Sequence, residues 1–496
     1  MARTTSYTSH TLLIALTAMA SWYSYLQHGL FVDEAGSYWV INDSVSQVVS
    51  RSLSIQGQSP FYYILLWGIT QLTGYSELSL RMLSLFSGIG SLFIFYRILT
   101  SLYSHTLAVT SLLLLCGMKS FVFATALARP YGLGLLCGLA SCWLFLRWID
   151  EKRFILLLCT SLFFSLSIYS HYIFITFFAL HLGLLWQKGV FRKALLPFIF
   201  ASLLSFLLAA PGTVQLFELH SRLNVLAFKA PSISFQHLLA SYFSVSLTTV
   251  FSLILVVFLT TGKRSLKITL RSEQLNWRFP SIAFLIPPFG AFLASSLLNT
   301  NLMIERYYIL QPIGTSILCA LLISCLQNVL YQRLITFLMV GLQTASLFSY
   351  QNGDLTWSRS IEHIKMLQQE KNCIPLVLMG FNEAREVSTL RQDQYKDFLE
   401  SPLNYYDVSN ITLLPASVKT SEEMNYIHSE VLSRALPSSC IQLIIWEQMA
   451  SEPPQKSPHS SVFYLQSYLE EHGYSLQERV HYGSVYVAQL LKPPKS

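Results

Sequence analysis

The chain has 496 residues, of which 52% are hydrophobic and 12% charged, and its formal net charge is +7. A soluble domain usually carries roughly a quarter charged residues, so this balance excludes a simple soluble enzyme, a disordered chain and a disulfide-dense scaffold. It points instead to an integral membrane protein.

The first apolar stretch covers residues 11–30. Arg3 ahead of it and Ala18-Met19-Ala20 within it imitate a secretory signal. The apolar run continues through Trp22, Tyr23 and Tyr25, so an uncleaved first transmembrane helix with interfacial aromatics is expected. Segments 60–73 and 78–99 follow, then a long stretch at 105–127 that Lys119 interrupts. Later spans are expected at 131–148, 154–169, 171–186, 194–210, 235–261, 281–298, 307–326 and 334–350. Two short crossings hinged at Lys119 bring the total to thirteen; if one early segment is only interfacial, eleven remain. Basic clusters fall in every second loop, at Arg147 to Arg153, Lys188 to Lys193, Lys263 to Arg278 and Arg333. Lys and Arg mark cytoplasmic loops, so the N-terminus is expected inside and the tail outside.

Up to residue 350 there are 21 Lys/Arg against 9 Asp/Glu; from 351 onward there are 12 against 17. The basic surplus belongs to the apolar part, which argues against a nucleic-acid partner and for a lipid bilayer. The tail, residues 351–496, reads as a separate soluble unit. Strands are expected at 374–379, 411–414, 441–446 and 484–490, with helices at 357–369, 422–436 and 462–472. Alternating strands and helices favour a layered sheet. No strand is followed by a phosphate-binding glycine loop, so a nucleotide site is not supported. The expected fold is thus an all-α polytopic membrane domain over 1–350 and a small α/β domain over 351–496. Six of the eight cysteines lie in apolar segments, where Cys acts as a small hydrophobe. Cys373 and Cys440 are alone in the tail, and spacing is equally compatible with a bridge and with two free thiols.

Polar residues at the expected outer loops are the candidates for chemistry. Asp33-Glu34 follows the first span; a solvated loop edge explains it, and so does a general base near the membrane plane. Arg129, between two apolar stretches and next to Pro130-Tyr131, either snorkels or meets an anion. His171-Tyr172 lies at another outer turn, where an interfacial role competes with ligand contact. Arg306, between Glu305 and Tyr307, has the forked donors that suit a phosphate.

Taken in order, Asp33-Glu34-Ala35-Gly36-Ser37-Tyr38, Ser59-Pro60-Phe61-Tyr62-Tyr63, Gly74-Tyr75-Ser76-Glu77-Leu78-Ser79-Leu80-Arg81, Ala128-Arg129-Pro130-Tyr131 and Glu305-Arg306-Tyr307 resemble the GT-C superfamily of membrane glycosyltransferases. The similarity covers roughly residues 10–350 and is closest to the branch with protein O-mannosyltransferases and the lipid A aminoarabinose transferase. It implies a polyprenyl-phosphate-linked sugar donor, transfer on the outer face of the plasma membrane, and inversion at the anomeric carbon. Asp33 matches the base of the first outer loop, with Glu34 its usual neighbour; Arg129 and Arg306 match positions near the donor phosphate, and Tyr131, His171, Tyr172 and Tyr307 flank them as substrate contacts. The sequence departs from the pattern with Ser59-Pro60 in place of a Pro-Pro pair, and with the small Gly36 and Ser37. Some relatives bind a divalent metal near the acidic loop; no dedicated cluster is evident and no metal is assigned. The acceptor is left as a glycolipid, a polysaccharide or a protein. A polytopic transporter or lipid-carrier flippase is the competing reading, and a non-catalytic anchor presenting the tail to a protein partner is a third.

Overall fold

The computed structural model describes residues 2–54, 58–222, 234–244, 276–298, 302–326, 328–354, 357–379, 396–408, 410–414, 421–433, 436–446, 461–482 and 485–493. The chain forms two compact units. The first comprises 1–26, 52–221 and 228–349; the second comprises 27–51, 222–227 and 350–496.

The first unit is helical. It opens with α1 (Ala2–Leu26); α2 (Val32–Ile41) and α3 (Val45–Ser54) follow, α2 and most of α3 within the second unit. Then come α4 (Pro60–Thr73), α5 (Glu77–Leu102), α6 (His105–Cys116), α7 (Lys119–Ala126), α8 (Tyr131–Glu151), α9 (Phe154–Ser170), α10 (Phe177–Gln187), α11 (Phe191–Arg222), α12 (Phe235–Ser244), α13 (Arg278–Leu298), α14 (Gln311–Ser324) and α15 (Val329–Asp354). Serine caps punctuate the early part. Ser59, Ser76 and Ser104 accept backbone N–H groups at the starts of α4, α5 and α6, and Gly74, at φ 81°, ends α4. Among the described residues, four stretches are long and apolar enough to cross a membrane, namely α5, α8, Phe191–Gly212 and α13. The α6–α7 pair, bent by 71°, qualifies as a fifth. Most of the expected span at 235–261 lies outside the described residues.

Side-chain contacts bear on whether the early segments cross. Tyr62, near the start of α4, has its hydroxyl 3.4 Å from that of Ser84, and the Ser79 hydroxyl donates to the carbonyl of Thr73 at the end of α4. Both ends of α4 therefore touch the first eight residues of α5, the packing of a helix that lies at the end of the bundle. Lys119 is likewise no hinge between two crossings. His105 packs on Tyr96 near the far end of α5, whereas Lys119 and Ser120 reach Glu305 at the opposite end. So α6 crosses once and α7 continues as its bent end. Among the described residues, these contacts remove two of the thirteen expected crossings, one at α4 and one at Lys119.

Two other expectations shift at their edges. The segments expected to begin at His171 and Tyr307 start instead with short 3-10 turns, Tyr172–Thr176 and Glu305–Tyr308, and the α-helices begin later. With 14 residues, α14 rises only about 21 Å, short of the roughly 30 Å hydrocarbon layer. In the Glu305–Tyr308 turn, Tyr308 is buried and Glu305, Arg306 and Tyr307 are half-buried.

The second unit carries α16 (Trp357–Lys371), β1 (Ile374–Met379), α17 (Lys396–Tyr405), β2 (Thr412–Leu414), α18 (Ser421–Tyr426), β3 (Cys440–Trp446), α19 (Ser461–Glu471), β4 (Ser475–Tyr482) and β5 (Val485–Leu491). The sheet order is β2-β1-β3-β5-β4, with β2, β1 and β3 parallel and β5 antiparallel to both β3 and β4. Leu376, Ile441, Leu443, Leu465, Leu469 and Leu490 form its core. β4 was not expected from sequence because it is a solvated edge strand with hardly any apolar run. Cys373 and Cys440 stand side by side ahead of Ile374 and Ile441 on β1 and β3, with Cα atoms 4.5 Å apart, and form a disulfide.

Within this unit α2 docks on α17. Tyr38 meets Tyr405 edge-on at 4.9 Å, Trp39 meets Phe398 at 5.5 Å, and the Tyr406 hydroxyl accepts the Leu30 N–H at 2.7 Å. The acidic loop after α1 is therefore built into the same unit as the tail.

Candidate active site

In the first unit, three connections converge at one end of the bundle: the turn between α7 and α8, the turn after α9, and the 3-10 turn before α14. Each is fixed by local chemistry. Pro130 starts α8, the Arg129 N–H bonds the Leu127 carbonyl at 2.7 Å, and the Ser84 hydroxyl donates to the Arg129 carbonyl at 3.2 Å. Gly132 allows α8 to lie against α5 and α7: a Cβ there would come 3.1 Å from the carbonyl oxygens of Ser84 and Ala124. One turn on, Gly134 and Gly138 leave room for the rings of Phe174 and Phe177, and the Ser167 hydroxyl donates to the Gly134 carbonyl at 2.8 Å. These contacts press the turn bearing His171 against α8.

The result brings together most of the residues singled out from sequence. His171 is 5.1 Å from Tyr131, 4.3 Å from Tyr172 and 6.0 Å from Tyr307, ring to ring. Tyr172 and Tyr307 share a side-chain hydrogen bond. The Arg129 guanidinium lies 6.0 Å from the Tyr131 ring and that of Arg306 lies 5.6 Å from Tyr307. Arg129, Tyr131 and His171 are buried; Tyr172, Arg306 and Tyr307 are half-buried. Burial, and then the charges of Arg129 and Arg306, push the His171 imidazole down to about 3. Both causes favour the neutral imidazole.

Sequence reasoning did not include Lys119, Ser120 or Glu305 among the site residues. The Glu305 carboxylate lies 3.6 Å from the Lys119 ammonium and accepts from the Ser120 hydroxyl at 2.8 Å. It ties the first turn of α7 to the turn that carries Arg306. The interruption of an apolar stretch by Lys119 was the available signal, since a charge there needs a partner.

Asp33 and Glu34 belong to the second unit. Both lie in the first turn of α2, where carboxylates suit the helix dipole. Glu34 is buried, and its Oε2 accepts the Phe31 N–H at 2.8 Å. It reaches back to cap its own helix. Asp33 is half-buried, and its carbonyl accepts the Ser37 hydroxyl at 3.3 Å. The small Ser37 thus closes the turn that presents Asp33. Among the described residues no group of three or more His, Cys, Asp or Glu gathers as a metal site.

The pattern of the dolichyl-phosphate-mannose-protein mannosyltransferase family matches residues 57–214. No curated protein matches the chain. Among solved structures the chain is similar to ArnT from Cupriavidus metallidurans bound to undecaprenyl phosphate, with a TM-score of 0.57 at 10% identity over 97% of both chains. The apo state of the same protein gives 0.43 at 11% identity over 98% of both chains. The first likeness establishes a shared fold: a polytopic helical bundle with a small C-terminal sheet domain. The matched segment contains the Arg129 turn and the His171 turn.

Proposed function

We propose that this chain is a GT-C-type glycosyltransferase that moves a sugar from a polyprenyl-phosphate-linked donor to an acceptor hydroxyl. The observation that carries this reading is the meeting of two arginines, a neutral histidine and three tyrosines at one end of a bundle whose 57–214 segment bears the mannosyltransferase family pattern. The similar ArnT structure holds undecaprenyl phosphate, which supports a donor lipid of that class.

The chemistry follows from the residues. The acceptor O–H loses its proton as its oxygen bonds the anomeric carbon, while the bond from that carbon to the phosphate oxygen breaks. Polyprenyl phosphate leaves with the bonding electrons, and attack opposite the leaving group inverts the centre. Arg129 and Arg306 stabilise the charge that grows on the phosphate. A leaving phosphate is already an anion, so no protonating acid is required. Asp33 takes the acceptor proton on the strength of the family resemblance, and Glu34 holds the turn on which Asp33 stands.

We place the N-terminus in the cytoplasm and the second unit outside the plasma membrane. Basic residues at the end of the bundle away from the arginine site support this: Lys152, Arg153 and Lys188 cluster there, Lys188 beside Asp150 at 3.2 Å. The Cys373–Cys440 disulfide also suits an oxidising compartment. The transporter alternative asks for ionisable groups working inside the bundle. His181 is such a group, but it is enclosed by Phe145 and Phe164 and hydrogen-bonded to Ser141, a packing role.

The test is reconstitution with a pool of polyprenyl-phosphate sugars, following consumption of the lipid-linked sugar. Asp33→Asn should stop turnover and keep donor binding; Arg306→Ala should weaken donor binding. Wild-type turnover by Asp33→Asn would remove Asp33 as the base, and an inert wild-type protein across the pool would remove the reading itself.

A further inference from the structure

The second unit contains a cavity of about 890 Å³ where β1 and β2 begin, walled by α16 and α17. We propose that it binds an uncharged glycan chain. Sites of this size are usually lined by apolar side chains; this one is not. Gln368, Gln369, Asn372 and Asn410 are among the residues that line it, the last three exposed. An amide both donates and accepts, as a sugar hydroxyl does, so amides satisfy hydroxyl arrays without selecting for charge.

The charged residues of the lining cancel. Lys365 and Lys396 stand against Glu400 and Asp407. A phosphate entering here meets two carboxylates, and a cation meets two ammonium groups. Ile374, Pro375 and Ile411 supply too little apolar wall for a lipid chain. An extended peptide is commonly recognised through pockets for its side chains, which a cavity of mixed amides and opposed charges does not offer.

The rim is also set in advance. Asn372, Asp407 and Asn410 hold left-handed backbone, at φ 50°, 57° and 57°. Asn and Asp adopt that region more readily than other side chains. Asn372 is further anchored by the disulfide at the neighbouring Cys373. A rim whose backbone is fixed in this way has less main chain to order on binding. The inference concerns binding by the second unit and is independent of the transfer reaction.

The test uses the full-length protein in detergent and saturation-transfer NMR. The probes are maltotetraose, cellotetraose and chitotetraose, with inorganic phosphate and an uncharged glycine-serine peptide as competitors. The double variant Asn372→Gly/Asn410→Gly removes two amides while glycine keeps positive φ freely. Gln369→Leu, at an exposed helical position, is the second variant. At least one tetrasaccharide should bind saturably, and the double variant should weaken it about tenfold or more, as the loss of two hydrogen bonds implies. Gln369→Leu should weaken it by a smaller factor, and neither competitor should displace it. The proposal falls if no tetrasaccharide binds, if both variants bind as wild type does, or if phosphate or the peptide displaces the sugar.

Discussion

Gly134→Ala tests whether the turn carrying His171 and Tyr172 is held in place by packing on α8. A Cβ at position 134 would fall within 3.0 Å of three carbons of the Phe174 ring, where ordinary contact is 3.4–4 Å. The ring must retreat by roughly an ångström. Phe174 is fully buried, so it cannot swing into solvent. Its movement passes to the turn three residues earlier, because the Phe174 N–H bonds the His171 carbonyl at 3.1 Å. Overpacking of this kind costs about 1–3 kcal/mol, partly offset by the roughly 1 kcal/mol that alanine gains over glycine in a helix. The variant should therefore fold, with a midpoint only a few degrees lower. Activity should suffer far more, because an ångström of misplacement at a site costs on the order of a hundredfold. Gly290→Ala is the matched control: nothing lies within 4 Å of a Cβ there, so stability should hold or rise and turnover should not change. The assay is donor consumption in proteoliposomes beside thermal unfolding of both variants. Wild-type turnover by Gly134→Ala would show that the packing of Phe174 does not position the site.

Three further outcomes are expected. Replacing Cys373 and Cys440 together by Ser opens a 67-residue separation, which the chain-entropy relation makes worth about 4 kcal/mol; chemical denaturation of the second unit, read by protease resistance, should show most of that loss, and an unchanged midpoint would contradict it. Burial and the neighbouring arginines lower His171 from 6.5 to about 3, so the unfolded chain binds a proton that the native site refuses. The stability this contributes is complete above pH 6.5 and falls as pH drops toward 3; the slope in unfolding midpoints across that window should flatten in His171→Gln. Glu305→Ala breaks a partly exposed ion pair worth about 1 kcal/mol or less, so stability should barely move while donor affinity drops through the displaced Arg306; equal donor affinity in variant and wild type would argue against the tie.

Much of the membrane part was readable along the chain. The low charge content and the alternation of basic loops are one-dimensional properties, set by the cost of placing charge in hydrocarbon. Scarcity of charge also made Arg129 and Arg306 conspicuous. The packing of α4, with Tyr62 against Ser84 and Thr73 against Ser79, was not readable, since a 14-residue apolar helix reads the same lying at the surface or crossing. In the tail, β1 and β3 announced themselves as apolar runs, while β4 and α17 did not, being solvated or amphipathic elements of mixed composition.

Lys119 shows the same division. Sequence alone determined that a charge interrupts an apolar stretch and must find a partner. Only the tertiary structure decided that the partner is Glu305, 186 positions away along the chain, and that the 71° bend between α6 and α7 brings Lys119 to the site. Glu34 is the converse case, for its character as an acid was evident and its use as a cap was not. Hydropathy is summed over local windows. Pairing depends on how the helices come back together, and the small residues that permit that return carry almost no hydropathy signal of their own.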